Sequence, residues 1–301
     1  MAHANETLKR VLSAVIFIPI FFVTLFYEGL NSVLFSVIVL IIGLTSTYEM
    51  YLIGKVKGVK INIYLLLIFI FLIIVGGYLH VTYHEWFVTV SSKVYNYLLD
   101  PTRLIILFAI IILALEVYRK DFSSSLERIG LSLIILVYCG FFVSLIITVK
   151  LANPFYLLYL ISICWLGDTF AYFGGREFGK HKLNLPVSPN KTLEGYLIGI
   201  FFGTGLTVLL FWYLLPSLDL LNGFDRFFAI KWYYAIIITL VFSILAFAGD
   251  LIESVFKRSS GVKDSTNIIP GHGGVLDVFD SLIYLSAIFY FTMALFFSPI
   301  N

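Results

Sequence analysis

IIITLVFSILAFA (residues 236–248) and SLIYLSAIFYFTMALFF (residues 281–297) are among the most apolar runs of the chain, and KRSSGVKDSTNIIPGHGGVLDVFDS (residues 257–281) lies between them. Read as 232–250 and 275–297, the two runs are each long enough, at about 1.5 Å per residue, to approach or cross a hydrocarbon core of roughly 30 Å. The segment between them holds Lys257, Arg258, Lys263, Asp264, Asp277, Asp280, His272 and a run of glycines. Two membrane helices joined by a strongly charged loop is the reading that sets the fold class.

The rest of the chain follows the same pattern. Sixty per cent of its 301 residues are hydrophobic and 13% are charged, with a mean hydropathy of +0.99. A soluble domain carries about 25% charged residues, so water is not the main solvent here. Nine candidate spans are expected: 11–27, 32–53, 61–79, 102–118, 129–149, 154–173, 193–215, 232–250 and 275–297. The fold class is an all-α integral membrane protein. Three segments are expected: 1–100 with three spans, 101–152 with two spans and a candidate dimer contact, and a catalytic region, 153–301, with four.

Orientation is read from the basic residues that flank spans. With the N-terminus in the cytoplasm, Lys9, Arg10, Lys55, Lys57, Lys60, Arg119, Lys120, Arg128, Arg176, Lys180, Lys182, Lys191, Lys257, Arg258 and Lys263 face inside. Only Lys93, Arg103, Lys150, Arg226 and Lys231 face outside, as does the C-terminus. Dropping one span would invert every later loop and destroy that separation. The first apolar segment runs into the next span without a small-residue cleavage pattern, so it reads as a retained anchor. Cys139 and Cys164 both fall inside spans and read as small buried hydrophobes. Residues 80–101, with Trp86, Tyr95 and Tyr97, read as an interfacial excursion on the outer side. The net charge of +2 identifies no partner, and nucleic acid is not expected.

The unusual chemistry collects on the inner face in three stretches: 167–195, 248–264 and 269–281. Asp168 sits near the end of an apolar helix, where an uncompensated carboxylate is costly. Asp250 and Glu253 share a helix face with Lys257, and Asp277 and Asp280 share another. The Gly271-His272-Gly273-Gly274 run suggests backbone amides approaching phosphate at a helix N-terminus. Each feature has a plainer reading. Acid pairs cap helices, glycines serve flexible turns, lone cations obey the charge rule, and Ser188 to Thr192 could be a turn and a cap. Together they describe oxygen ligands for Mg²⁺ or Mn²⁺ beside cations suited to a polyphosphate. That points to phosphoryl-group chemistry where cytoplasm meets lipid.

The residues also resemble a known family. Ser254-Val-Phe-Lys257-Arg258, Lys263-Asp264-Ser265, the stretch from Ile269 to Asp277, and Asp280-Ser281 resemble the signature of the phosphatidate cytidylyltransferases. Phe178 to Leu183 and the stretch from Ser188 to Gly195 resemble that family's second motif, and Asp168 fits its acidic position. One departure is Val278, where the family usually has arginine. The resemblance implies the conversion of CTP and phosphatidic acid into CDP-diacylglycerol and pyrophosphate, dependent on Mg²⁺, with K⁺ as a second ion, in a membrane-embedded homodimer of the cell (inner) membrane. It implies that Asp250, Asp277 and Asp280 hold metal and that Lys263, with Lys257 and Arg258, neutralises phosphate. Asp168, Lys182, Ser188, Lys191, Thr192, Glu194, His272, Gly273 and Gly274 complete the expected substrate-binding set. A secondary transporter predicts mid-bilayer charges and inverted repeats, neither of which is visible. A catalytically impaired relative that only binds lipid or CTP remains the other alternative, because of Val278.

Overall fold

In a computed structural model, residues 15, 18–27, 29–90, 100–217, 227–266, 268–269 and 273–296 are described. Among them eight long helices dominate: α1 (Val33–Val56), α2 (Ile63–Val90), α3 (Pro101–Val117), α4 (Ser125–Ala152), α5 (Pro154–Phe178), α6 (Leu193–Ser217), α7 (Trp232–Ser259) and α8 (Val275–Phe296). The only β pairing among the described residues is three isolated bridges. The all-α membrane class is as expected. Seven of the eight helices are long and apolar enough to cross a bilayer. The exception is α3, whose 17 residues rise only about 26 Å. The expected first span, 11–27, lies partly outside the described residues; 18–26 are helical.

The chain divides into two compact units. The first contains Met1–Pro154 and Phe256–Phe279, the second Phe155–Val255 and Asp280–Asn301.

In the first unit, α1, α2 and α4 pack around Phe35, Val39, Leu66, Ile70, Ile73, Leu136 and Ile147, all almost fully buried. α4 passes through a π-helical stretch at Leu136–Phe142. There Gly140 lets it approach Ile70 of α2: a Cβ would lie 3.1 Å from Ile70 Cγ1. α3 begins sharply because Asp100 accepts from Thr102 N–H at 2.8 Å while Pro101 presets the first helical turn. α3 buries Leu104, Phe108 and Ile112 and exposes Ile106, Ile110 and Leu113. That is an apolar outer face, suited to lipid rather than water. The α3–α4 corner is tied by Arg128, which donates to the buried Glu116 through Nη2 at 2.7 Å and through Nε at 3.1 Å.

In the second unit, one end is a cluster of rings. Tyr159 contacts Phe211, Phe227 and Phe242, and its hydroxyl pairs with Thr239 at 2.8 Å. The other end is organised by glycine. Gly195, Gly199 and Gly203 recur every fourth residue on α6 and meet Gly167, Ala171 and Gly175 of α5. A Cβ at Gly199 would lie 2.7 Å from Gly167 O, and one at Gly195 2.7 Å from Ala171 O. Small residues at this spacing let two backbones touch. The seam holds the start of α6 against the last turns of α5.

Candidate functional site

Above that seam, the second unit contains a cavity of about 490 Å³ whose polar lining includes Asp168 and Arg176 of α5, Asn190, Lys191 and Thr192 before α6, and Asp250 of α7. Thr192 is there because it caps α6, its hydroxyl accepting from Gly195 N–H at 3.2 Å. The preceding segment folds back as a small hairpin. Leu183 N–H donates to Lys191 O at 2.9 Å, Leu193 N–H donates to His181 O at 2.8 Å, and Asn184 takes a left-handed backbone (φ 49) just before the turn that Leu185 and Ser188 close. Glu194 pins the hairpin base, accepting from the Lys180 and His181 amides at 3.1 Å. Lys191 at the end of the hairpin pairs with Asp250 and lies over the Phe247 ring. The cavity thus presents two carboxylates, two cations, an amide and a hydroxyl above an aromatic floor of Tyr196 and Phe247, whose rings are 4.7 Å apart.

On α7, Gly249 immediately precedes Asp250. A Cβ there would lie 3.0 Å from Ser281 Cα, so α7 and α8 cross almost backbone to backbone. Asp280, next to Ser281, is 7% exposed and accepts from the Ser281 amide.

In the first unit, the charged segment closes around the start of α8. Asp277 uses one carboxylate oxygen for Lys257 Nζ at 2.6 Å. The other accepts from Gly274 N–H at 2.8 Å and Ser265 N–H at 3.1 Å. A carboxylate in the first turn that reaches back to the residue before the helix is half of a capping box. Glu49 of α1, which is fully buried, completes the cap by accepting from the amides of Val275 and Leu276.

A profile of the cytidylyltransferase family matches residues 8–296. The chain belongs to this family. A protein named phosphatidate cytidylyltransferase from Staphylococcus haemolyticus (strain JCSC1435) is 30% identical over 280 residues, covering 93% of this chain and 95% of that one. One of the same name from Staphylococcus aureus (strain COL) is 32% identical over 280 residues, with the same coverage. Another, from Bacillus subtilis (strain 168), is 35% identical over 195 residues, 64% of this chain and 68% of its own.

The cytidylyltransferase structure distributes the expected residues unevenly. Asp168, Lys191, Thr192 and Asp250 line one cavity, and Glu194 braces the hairpin beside it. Ser188 stands in the hairpin turn, its amide donating to Leu185 O, and Lys182 is exposed on the hairpin's other strand. Lys257 and Asp277 form their pair in the first unit; Arg258 is exposed and donates to Val262 O at 3.2 Å, and Lys263 is exposed. His272 lies outside the described residues. The Gly273 and Gly274 amides donate to Ile269 O and Asp277, acceptors within the chain itself. Glu49 escaped the sequence reading altogether. Its only signal is that it is the one acid in α1.

The expected ligands Asp250, Asp277 and Asp280 are all carboxylates, the oxygen donors that suit a hard divalent cation, and Lys191 and Lys257 pair with the first two. Among the described residues no three His, Cys, Asp or Glu side chains gather as metal ligands. Substrate phosphate oxygens would have to complete a coordination shell, as Mg²⁺ sites commonly require.

Proposed function

We propose that this cytidylyltransferase takes phosphatidic acid as acceptor, converting it with CTP into CDP-diacylglycerol and pyrophosphate in phospholipid biosynthesis. The observation that carries the reading is the cavity in which Lys191 and Arg176 face Asp168 and Asp250, in a chain similar along most of its length to proteins named for this activity. An oxygen of the lipid phosphate forms the new bond to the α-phosphorus of CTP as the bond from that phosphorus to the β-phosphate oxygen breaks. Pyrophosphate departs with the electron pair. No general base is required, because a phosphomonoester carries about −1.5 to −2 charge at pH 7.

Each residue then has a task. Lys191, with Arg176, offsets phosphate charge, and the hairpin from Lys182 to Thr192 orients the nucleotide. Lys257, Arg258 and Lys263 neutralise pyrophosphate or the lipid headgroup. Mg²⁺ is the metal we propose at Asp250, Asp277 and Asp280, where it would supply charge neutralisation on the phosphate oxygens. Catalysis rests on alignment and fixed charge. Nine spans with the N-terminus and the site on the cytoplasmic side, a homodimer, and K⁺ as a second ion belong to the same proposal. The family assignment leaves the transporter without support.

The test uses full-length protein in detergent with radiolabelled CTP, with and without phosphatidic acid and Mg²⁺. Label is expected in the lipid phase only when both are present. Label-free lipid with intact CTP binding would overturn the transfer reading.

A further inference from the structure

We propose that Glu49 is a positioning residue for cytidylyl transfer, seating its carboxylate on the N-terminus of α8 and thereby fixing the first turn of that helix, which carries Asp277. This rests on the transfer reading above. Oε1 accepts from Thr266 Oγ1 at 2.7 Å and Val275 N–H at 2.9 Å. Oε2 accepts from Leu276 N–H at 2.7 Å and has Ser265 Oγ at 3.0 Å. The same Ser265 hydroxyl lies 2.9 Å from Asp277 Oδ2, so one serine spans the two carboxylates. Asp277 in turn holds Lys257. Glu49 therefore heads a chain of contacts, through Ser265 and Asp277 to Lys257, whose first link joins residues 216 positions apart.

Two details show that the arrangement is specific. A Cβ at Gly274 would lie 2.5 Å from Glu49 Oε1, so the glycine leaves room for the carboxylate. And the positive end of a helix is where a phosphate would otherwise bind. Glu49 takes that place, so the amides of Val275 and Leu276 serve the protein and not the substrate. What the substrate gains is a fixed Asp277.

Glutamine is the informative replacement. Each carboxylate oxygen accepts from one backbone amide and faces one hydroxyl. Whichever way a glutamine flips, its NH₂ meets a backbone N–H, leaving a buried donor unpaired. Aspartate keeps both acceptors at the cost of one methylene of reach.

In full-length protein, Glu49→Gln is expected to lower kcat roughly tenfold or more while KM for CTP stays within about twofold. Glu49→Asp should recover part of kcat. Amide hydrogen exchange, read by mass spectrometry without substrate, should accelerate in peptides covering 264–277 and stay unchanged in α5 and α6. Wild-type kcat in Glu49→Gln, a defect confined to KM, or exchange accelerated equally in every helix would each overturn the proposal. If the unaltered protein makes no CDP-lipid, the transfer reading fails instead, and the exchange comparison alone decides whether Glu49 orders the loop.

Discussion

Asp277 divides its oxygens between Lys257 and the amides of Gly274, just before α8, and Ser265, so replacing it alters a helix cap as well as a charge. Alanine at a capping position costs about 1 kcal/mol. An asparagine there would keep one acceptor for the Gly274 and Ser265 amides while removing the carboxylate. Asp277→Asn is therefore expected to fold with a near-normal melting point and to lose roughly a hundredfold or more of turnover, the scale at which metal sites respond even to outer changes. Asp280→Ala should match it in lipid-phase label. Near-normal label from either would remove that residue from the metal set. Val278 neighbours Asp277 and is only partly buried, so Val278→Arg should leave turnover equal or higher. The acids themselves stand out in the sequence, because carboxylates opening an apolar span are conspicuous. Their partners do not. Lys191 and Asp250 are 59 residues apart, and Glu49 meets its loop only through tertiary folding.

At the scale of elements, helix starts are legible and helix ends less so. α1, α5, α6, α7 and α8 begin within one residue of the expected spans; Ser32, Asn153 with Pro154, Thr192 and Gly274 mark four of these starts, and at α7 Lys231 gives way to an aromatic and apolar run. α7 continues to Ser259, beyond the expected end at 250. Asp250, Glu253 and Lys257 mark one face of a helix that outlasts its apolar part. The glycine spacing on α6 is plain in the sequence, but its partner face on α5 needs the fold. That seam predicts an asymmetry. Gly199→Ala places a methyl against backbone and should lower stability by roughly 1–3 kcal/mol, the usual cost of overpacking. At Gly205, further along the same helix, a Cβ would meet nothing within 4 Å. Gly205→Ala should be neutral or stabilising, since alanine favours helix by about 1 kcal/mol. Thermal unfolding of both in one detergent decides it; equal shifts would mean the seam is not in backbone contact.

For the whole molecule, topology is the property that the charge pattern states most directly. Lys60, Lys180 and Lys263 are exposed in loops expected inside, and Lys231 is exposed just before α7, at the end expected outside. Cys139 and Cys164 are buried, so added cysteines would dominate labelling. Single cysteines at the first three positions should react with an impermeant maleimide only in inside-out vesicles, and a cysteine at 231 only in intact cells. Any of the first three reacting from outside would invert the assignment. Sequence order hides another whole-molecule property: residues 256–279 join the first unit although they lie late in the chain. Glu49, Phe21 and Tyr138 contact that segment, through hydrogen bonds and rings that sequence separation conceals.

The shortness of α3 has a consequence for the surrounding lipid. Its rise of about 26 Å falls some 4 Å below a hydrocarbon core of roughly 30 Å, while Ile106, Ile110 and Leu113 face outward. On the proposed nine-span topology, in which α3 crosses, the acyl chains beside it would have to compress, and turnover should then be higher in thinner bilayers. On that topology bilayer thickness would bear on the α3–α4 corner, where Arg128 pairs with Glu116.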